Sequence, residues 1–203
     1  MHNGSDEELM DLYRQGNVAA FDELYSRYRQ PLYRFILRQV GEPATANDLY
    51  QGSWEKIIQA RDQFRSSQSF RAWMYRIARN HVIDGFRRMK PDTDLADQVL
   101  ESHERLPDEQ MEQGERQSAL KRAILDLPPE QREVIMLRLE GGLDIATIAK
   151  ITGVNPETAK SRLRYAVNKL QACTQEYSQP AHPEPAAPNE GPTDSRSMRK
   201  RYE

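Results

Sequence analysis

Cysteine is almost missing from this 203-residue sequence; Cys173 stands alone. A single thiol forms no internal disulfide and no zinc cluster, so neither device can staple the fold, and the usage fits a reducing compartment. Glycine is sparse, and no long run alternates β-branched with polar residues, which argues against a sheet protein. No run of about 18 apolar residues occurs, so membrane insertion is not expected. The first eight residues are acidic and lack an apolar stretch, so they do not read as a signal peptide. A cytoplasmic location follows as the expectation. Phosphate-binding glycine loops, metal-ligand clusters and nucleophile–base pairs are also missing. Neither a catalytic residue, a metal site nor a cofactor is therefore expected, and the chain does not read as an enzyme.

What the sequence does contain is charge, at 30% against 37% hydrophobic residues. That balance suits small helical modules better than one large enclosed core. The net charge of −2 conceals a polar arrangement. Residues 61–90 carry eight basic and two acidic side chains, a local charge of +6. Residues 91–117 carry nine acids and two arginines, or −7, and residues 144–170 return to +3. Two basic segments thus flank an acidic one, a pattern that points to a polyanionic partner, although ordinary solvated helix faces produce similar charge runs.

Helical spacing dominates the rest. Leu9, Leu12 and Tyr13 recur at helical steps and Gly16 is a stop signal. Asn17 is placed to cap a helix carrying Phe21, Leu24, Tyr25, Tyr28, Leu32 and Ile36. Pro31 falls inside that helix and predicts a kink or break; Gly41 and Pro43 end it. Thr45 to Asp48 reads as a capping box for a helix with Leu49, Trp54, Ile57 and Ile58. A polar stretch leads to Phe70, which begins a helix to about Arg88. Residues 89–116 lose apolar periodicity and read as a flexible acidic linker. A short helix over 118–127 follows, then one from Pro128-Pro129 to Gly141-Gly142. Five prolines between Pro180 and Pro192 predict a disordered tail over 178–203.

The segment from Asp144 to Arg164 reads as a helix-turn-helix. Ala149 supplies the small residue needed where two helices cross, and Gly153 permits positive φ in the turn. Asn155, Pro156 and Glu157 are a cap, a first-turn proline and a dipole-facing acid. Ala159, Leu163, Ala166, Val167 and Leu170 form an apolar stripe expected to pack inward. Glu157, Thr158, Lys160, Ser161, Arg162, Arg164 and Tyr165 are left outward, as a helix lying in a DNA major groove requires. A merely structural helical hairpin has the same pattern.

The helix from Phe70 is sharper on a helical wheel at about 100° per residue. Arg71, Tyr75, Arg79, Arg76 and Asn80 share one half; Trp73, Ile77, Phe70, His81, Met74 and Ala78 share the other. An arginine face with a tyrosine among the arginines suits phosphate contact and base stacking on an open strand. A solvated basic face explains the helix alone equally well. His81, on the apolar side, is expected to pack.

Asp48-Leu49-Tyr50-Gln51-Gly52-Ser53-Trp54, with Ser69 to Asn80, closely resembles region 2 of the extracytoplasmic-function (ECF) sigma factors of bacterial RNA polymerase. Leu127 to Val134 and the helix-turn-helix ending Thr158-Ala159-Lys160-Ser161-Arg162-Leu163 look like their region 4. The resemblance covers about residues 6–172. It implies an all-α protein of two small helical domains, region 2 over 6–88 and region 4 over 117–172. It further implies that Asp48, Leu49, Gln51 and Trp54 belong to the surface that docks on the β′ clamp helices of core RNA polymerase, with Trp54 either contact or core. Phe64, Arg65, Ser66, Ser67, Arg71, Tyr75, Arg76, Arg79 and Asn80 match the parts that open and hold the −10 element as single strand. Arg87 and Arg88 match a basic stretch near upstream duplex phosphates. The helix of Asn155, Pro156, Glu157, Thr158, Lys160, Ser161, Arg162, Arg164 and Tyr165 resembles the −35 duplex reader. The implied partners are core polymerase, including the β flap, promoter DNA and an anti-sigma factor, and the implied setting is a stress or envelope response. Gly52 departs from the glutamate usual in the family and is expected to weaken its helix by up to about 1 kcal/mol. Ala159 stands where a branched residue is usual, which would let the reading helix sit closer to its partner.

Two rivals remain at this level. A stand-alone helix-turn-helix regulator would leave the block from Asp48 to Asn80 without a purpose. A sigma-like adaptor that titrates an anti-sigma factor would not need Lys160, Ser161 and Arg162 intact.

Overall fold

A computed structural model describes residues 4–89 and 113–176. Among them every regular element is helical: α1 (Asp6–Arg14), α2 (Val18–Val40), α3 (Pro43–Gln59), a 3₁₀ turn (Arg61–Gln63), α4 (Phe70–Met89), α5 (Gln113–Leu125), α6 (Pro129–Leu139), α7 (Ile145–Thr152) and α8 (Pro156–Glu176). The expected tail and residues 90–112 of the expected linker lie outside the described residues. Residues 113–116 of that linker are helical, because α5 begins earlier than the apolar pattern suggests.

Local chemistry accounts for the helix ends. Ser5 and Glu8 form a reciprocal capping box on α1, 3.2 and 2.8 Å long. Asn17 caps α2 through the Ala20 amide at 3.3 Å, and Gly41 closes it at φ 76°. Two expectations need correcting. Pro31 does not break α2, which runs 23 residues through it; the proline removes one backbone donor from the helix, which packs against α1, α3 and α4. And α3 starts at Pro43, ahead of the box read at Thr45. The Glu42 carboxylate accepts from the amides of Ala44 and Thr45 at 2.7 and 2.5 Å; hydrogen bonding by the Thr45 side chain first, and then by these amides, holds its pKa below the ordinary value.

The N-terminal half is built around α2, which packs against α1, α3 and α4 and buries Leu24, Leu32, Phe35 and Ile36 completely. Each such side chain contributes about 1.5–3 kcal/mol when withdrawn from water. Between α3 and α4 the packing is reciprocal. Gly52 of α3 leaves room for the His81 imidazole of α4, and Gly85 of α4 leaves room for Leu49 of α3. The C-terminal half sets α8 against α5, α6 and α7 over Leu127, Val134, Leu137, Ile148, Ala159 and Ala166. The halves also touch: α2 meets α5 and α6, and α4 meets α7.

Candidate nucleic-acid interface

The first basic face starts at the loop between the 3₁₀ turn and α4. Phe64 is 1% exposed, its ring edge-on to Phe70 and Trp73 at centroid distances of 6.0 and 5.3 Å. The far end of the loop is held by the Phe70 amide, which donates to Glu7 Oε1 at 2.9 Å. Anchored at both ends, the loop leaves Arg65, Ser66 and Ser67 exposed. Phe64 was grouped with these as a nucleic-acid contact. It is instead the buried peg that shapes their loop.

Along α4, Arg71, Arg76, Asn80, Arg87 and Arg88 are exposed. Tyr75 is not. The wheel placed it among the arginines, but it is 0% exposed, edge-on to Phe35 at 5.2 Å. Its hydroxyl is buried without a hydrogen-bond partner, and burial pushes its pKa up. The reason is that α4 is covered on two sides, by α2 and by α3, so its buried arc is wider than a single apolar face. No base can stack on Tyr75 in this packing.

Arg71 is held in place by α2. Its Nε donates to the Tyr28 hydroxyl at 3.1 Å and its guanidinium lies 5.8 Å from that ring centroid. The Tyr28 hydroxyl donates in turn to Asp6, which also accepts from Arg27 at 2.9 Å. Burial, reinforced by Asp6, pushes Tyr28 up to about 12. These residues line an open cleft of about 730 Å³ that reaches Leu139 and Glu140 of α6 and its C-cap. A second cleft, about 350 Å³, is rimmed by Lys56, His81, Asp84, Arg87 and Arg88. His81 is buried, as expected, and burial beside Lys56 and Arg88 lowers its pKa.

The helix-turn-helix follows its local signals. Asp144 caps α7 through the Thr147 amide at 2.7 Å, which lowers the pKa of the carboxyl. Gly153 takes φ 75° and its amide returns to Ala149 at 2.9 Å. Asn155 caps α8 through the Thr158 amide at 2.7 Å. Asn155, Pro156, Glu157, Lys160, Arg164 and Tyr165 are exposed, and Thr158, Ser161 and Arg162 are half-buried. Ala159 and Ala166 are fully buried and Leu170 nearly so, but Val167 is 36% exposed. The inward stripe therefore excludes Val167, which projects past the edge of the packed face.

On α3, Asp48 and Gln51 are exposed. Leu49 and Trp54, grouped with them as docking residues, are 6% and 5% exposed. Leu49 fills the space at Gly85. Trp54 packs against Phe21 and Tyr25 at 5.8 and 5.0 Å. Both support the surface from below, and Tyr25 and Tyr50 contribute aromatic edges to it.

Sequence reasoning missed the residues at the junction of the halves. Arg79, expected on DNA, donates through Nε to Glu133 Oε1 at 2.7 Å and through Nη2 to the Thr152 carbonyl at 3.4 Å. Arg34 of α2 grips both carboxylate oxygens of Glu140 at 2.9 and 2.8 Å. Arg132, 4% exposed, donates to the carbonyls of Gln39 and Leu127 at 3.2 and 3.0 Å and also to that of Leu125. Glu130-Gln131-Arg132-Glu133 at the start of an apolar helix was the available signal, since charges there need partners. Among the described residues no cluster of three or more His, Cys, Asp or Glu is placed to hold a metal ion, and no helix is long and apolar enough to cross a membrane.

Comparison with known proteins finds two family models that match the chain. The family described as Sigma-70 region 2 matches residues 24–91, and Sigma-70 region 4 matches residues 117–170. The chain is 31% identical to the ECF RNA polymerase sigma factor SigM of Mycobacterium tuberculosis, over 83% of this chain and 84% of SigM. It is likewise 31% identical to the ECF RNA polymerase sigma factor BldN of Streptomyces coelicolor, over 80% of this chain but 63% of BldN. Among solved structures, the sigma factor RpoE of Bartonella quintana, in complex with the anti-sigma factor NepR, superposes with a TM-score of 0.64 at 25% identity. That alignment covers 76% of this chain and 96% of RpoE.

Proposed function

The chain belongs to the ECF sigma factors of RNA polymerase, and we propose that its two halves divide promoter reading between them. Residues 6–88 act as the −10 module and residues 117–172 as the −35 module. Asp48 and Gln51, with the aromatic edges of Tyr25 and Tyr50, form the surface for the β′ clamp helices; Leu49 and Trp54 hold it in shape. Arg65, Ser66, Ser67, Arg71, Arg76 and Asn80 capture the opened −10 strand, and Arg87 and Arg88 hold phosphates of the upstream duplex. The exposed N-terminal turns of α8 read the −35 element, with Lys160, Arg162 and Arg164 on guanines or phosphates. Melting costs a few kcal/mol per unstacked step, which captured bases and phosphate contacts offset. The chain makes and breaks no bond; it acts in the cytoplasm, the polymerase supplies the chemistry, and an anti-sigma factor restrains it.

The observation that carries this reading is the presence in one chain of two separate basic faces, one on a loop and helix and one on a capped recognition helix. A duplex-only regulator has no use for the first. The test is to mix the chain with core RNA polymerase and a promoter library and sequence the transcripts. Promoter-specific initiation is expected. Transcripts no different from those of core polymerase alone refute the reading.

A further inference from the structure

Helices α3 and α4 pack together and leave between them an open cleft of about 350 Å³. Lys56 of α3 and Arg87 and Arg88 of α4 bring three cations to it, against the single carboxylate of Asp84. Among the described residues none of these three enters an ion pair, whereas Arg14, Arg27, Arg34 and Arg79 each take a carboxylate. Like charges gathered around one hollow repel each other and gain nothing from the fold. An oxyanion placed between them removes that repulsion and accepts their hydrogen bonds.

His81 is a second, independent sign of a ligand. It lines the same cleft, yet it is only 8% exposed. Its Nδ1 is buried without a partner, so a hydrogen bond to an incoming group falls to Nε2. That nitrogen faces Gly52, where an added Cβ would overlap it; glycine keeps this edge of the ring clear. The charged groups about the imidazole are Glu55 and Lys56 on α3 and Asp84 and Arg88 on α4. Burial first, and then Lys56 and Arg88, disfavour its protonated form, and the two carboxylates offset only part of this. An oxyanion seated beside the ring adds negative charge and draws a proton to it.

We propose that this cleft is a seat for one phosphate group, in which Lys56 and the His81 imidazole join Arg87 and Arg88. The occupant is a phosphodiester of the DNA backbone, because the cleft adjoins the exposed arc of α4 that carries Arg76, Asn80 and Arg87. This rests on the reading of Arg87 and Arg88 as contacts to the upstream duplex, and it adds one residue from α3 and a titrating one from α4. Such a contact carries no base information; it fixes where the duplex lies. Because the imidazole gains a proton as the phosphate enters, the hold on DNA tightens as pH falls.

Two titrations of the full chain test the seat, with Lys56→Ala and His81→Gln as variants. In the first, sulfate stands for the phosphate, because its charge is constant from about pH 6 to about pH 8, a window that spans the ordinary titration of histidine. The His81 imidazole resonances are followed by NMR, and His81→Gln identifies them by their loss. Saturable shifts are expected, with a Kd raised about tenfold by Lys56→Ala, as the loss of one charged hydrogen bond requires. In the second, the chain joined to core RNA polymerase binds a promoter duplex recovered from the transcription library. Lys56→Ala should lower the slope of log affinity against log salt by about 0.9, the share of one phosphate. The ratio of affinities at about pH 6 and about pH 8 should fall about threefold to tenfold on His81→Gln. Absence of a saturable shift at His81, or a shift indifferent to Lys56→Ala, overturns the seat. Sulfate binding with an unchanged salt slope and pH ratio makes the occupant a free oxyanion and overturns the DNA assignment. If no promoter is bound while the sulfate titration behaves as expected, the seat stands and the promoter reading falls. Lys56 is exposed, so its replacement leaves the packing intact, and it decides alone should His81→Gln not fold.

Discussion

Replacing Gly52 with alanine sets helix propensity against packing. At an unobstructed helix interior the change stabilises by about 1 kcal/mol. Here the missing Cβ faces His81: an added one would overlap Nε2 and come within 3.2 Å of Cε1. The imidazole is buried at 8% exposure between α3 and α4, and its Nδ1 has no partner that could draw it elsewhere. Either the ring turns off its rotamer or the helices part, and overpacking of this kind costs about 1–3 kcal/mol. The net expectation is destabilisation of up to about 2 kcal/mol, despite the gain in propensity. In a His81→Ala background the obstruction is gone, and Gly52→Ala should stabilise by about 1 kcal/mol. Urea unfolding of the four proteins, followed by tryptophan fluorescence, closes the double-mutant cycle. Both tryptophans, Trp54 and Trp73, lie in α3 and α4, so the signal reports the half concerned. If Gly52→Ala stabilises the native background as much as the His81→Ala background, the reasoning fails. The glycine would then be the simple helix weakness that its departure from the family pattern suggested.

Other perturbations probe the remaining buried groups. Tyr75→Phe removes a hydroxyl that has no partner, so stability should hold or rise by up to about 1 kcal/mol; permanganate reactivity of the −10 strand should be normal, and its loss would show that the tyrosine reaches DNA. His81 has a folded-state pKa below its unfolded value, so between the two the unfolded chain binds more protons. Stability should therefore fall as pH drops below about 6.5 and plateau above it; a His81→Gln chain with the same slope in urea titrations would exclude this histidine as the cause. Arg132→Met strands the carbonyls that its guanidinium satisfies and should cost about 2–3 kcal/mol by thermal melting; an unchanged melting temperature would mean that water replaces it. Arg162→Ala should weaken −35 duplex binding by about 1–3 kcal/mol in anisotropy titrations while binding to core polymerase persists; equal loss of both would contradict the separation of faces.

Much of the helical plan was legible because its signals are local. Asn17, Asp144 and Asn155 accept from amides three residues on, and Gly41 and Gly153 take the positive φ that ends a helix. Such bonds depend on backbone geometry within one turn, so residue order suffices to place them. The exposed face of α8 was legible from its spacing, apart from Val167, whereas the loop at Arg65 was singled out only by the family resemblance. The burial of Tyr75, Phe64 and Leu49 was not. A helical wheel knows one axis, and α4 has neighbours on two sides. Nor could the wheel show that Gly52 is matched to His81, since neither residue constrains the other until two helices approach. Arg79 and Glu133 are 54 residues apart. By itself the sequence determined that this chain makes capped helices with two basic faces. Only the tertiary structure decided which of those basic groups are already spoken for, because a charge takes whichever opposite charge packing brings within reach.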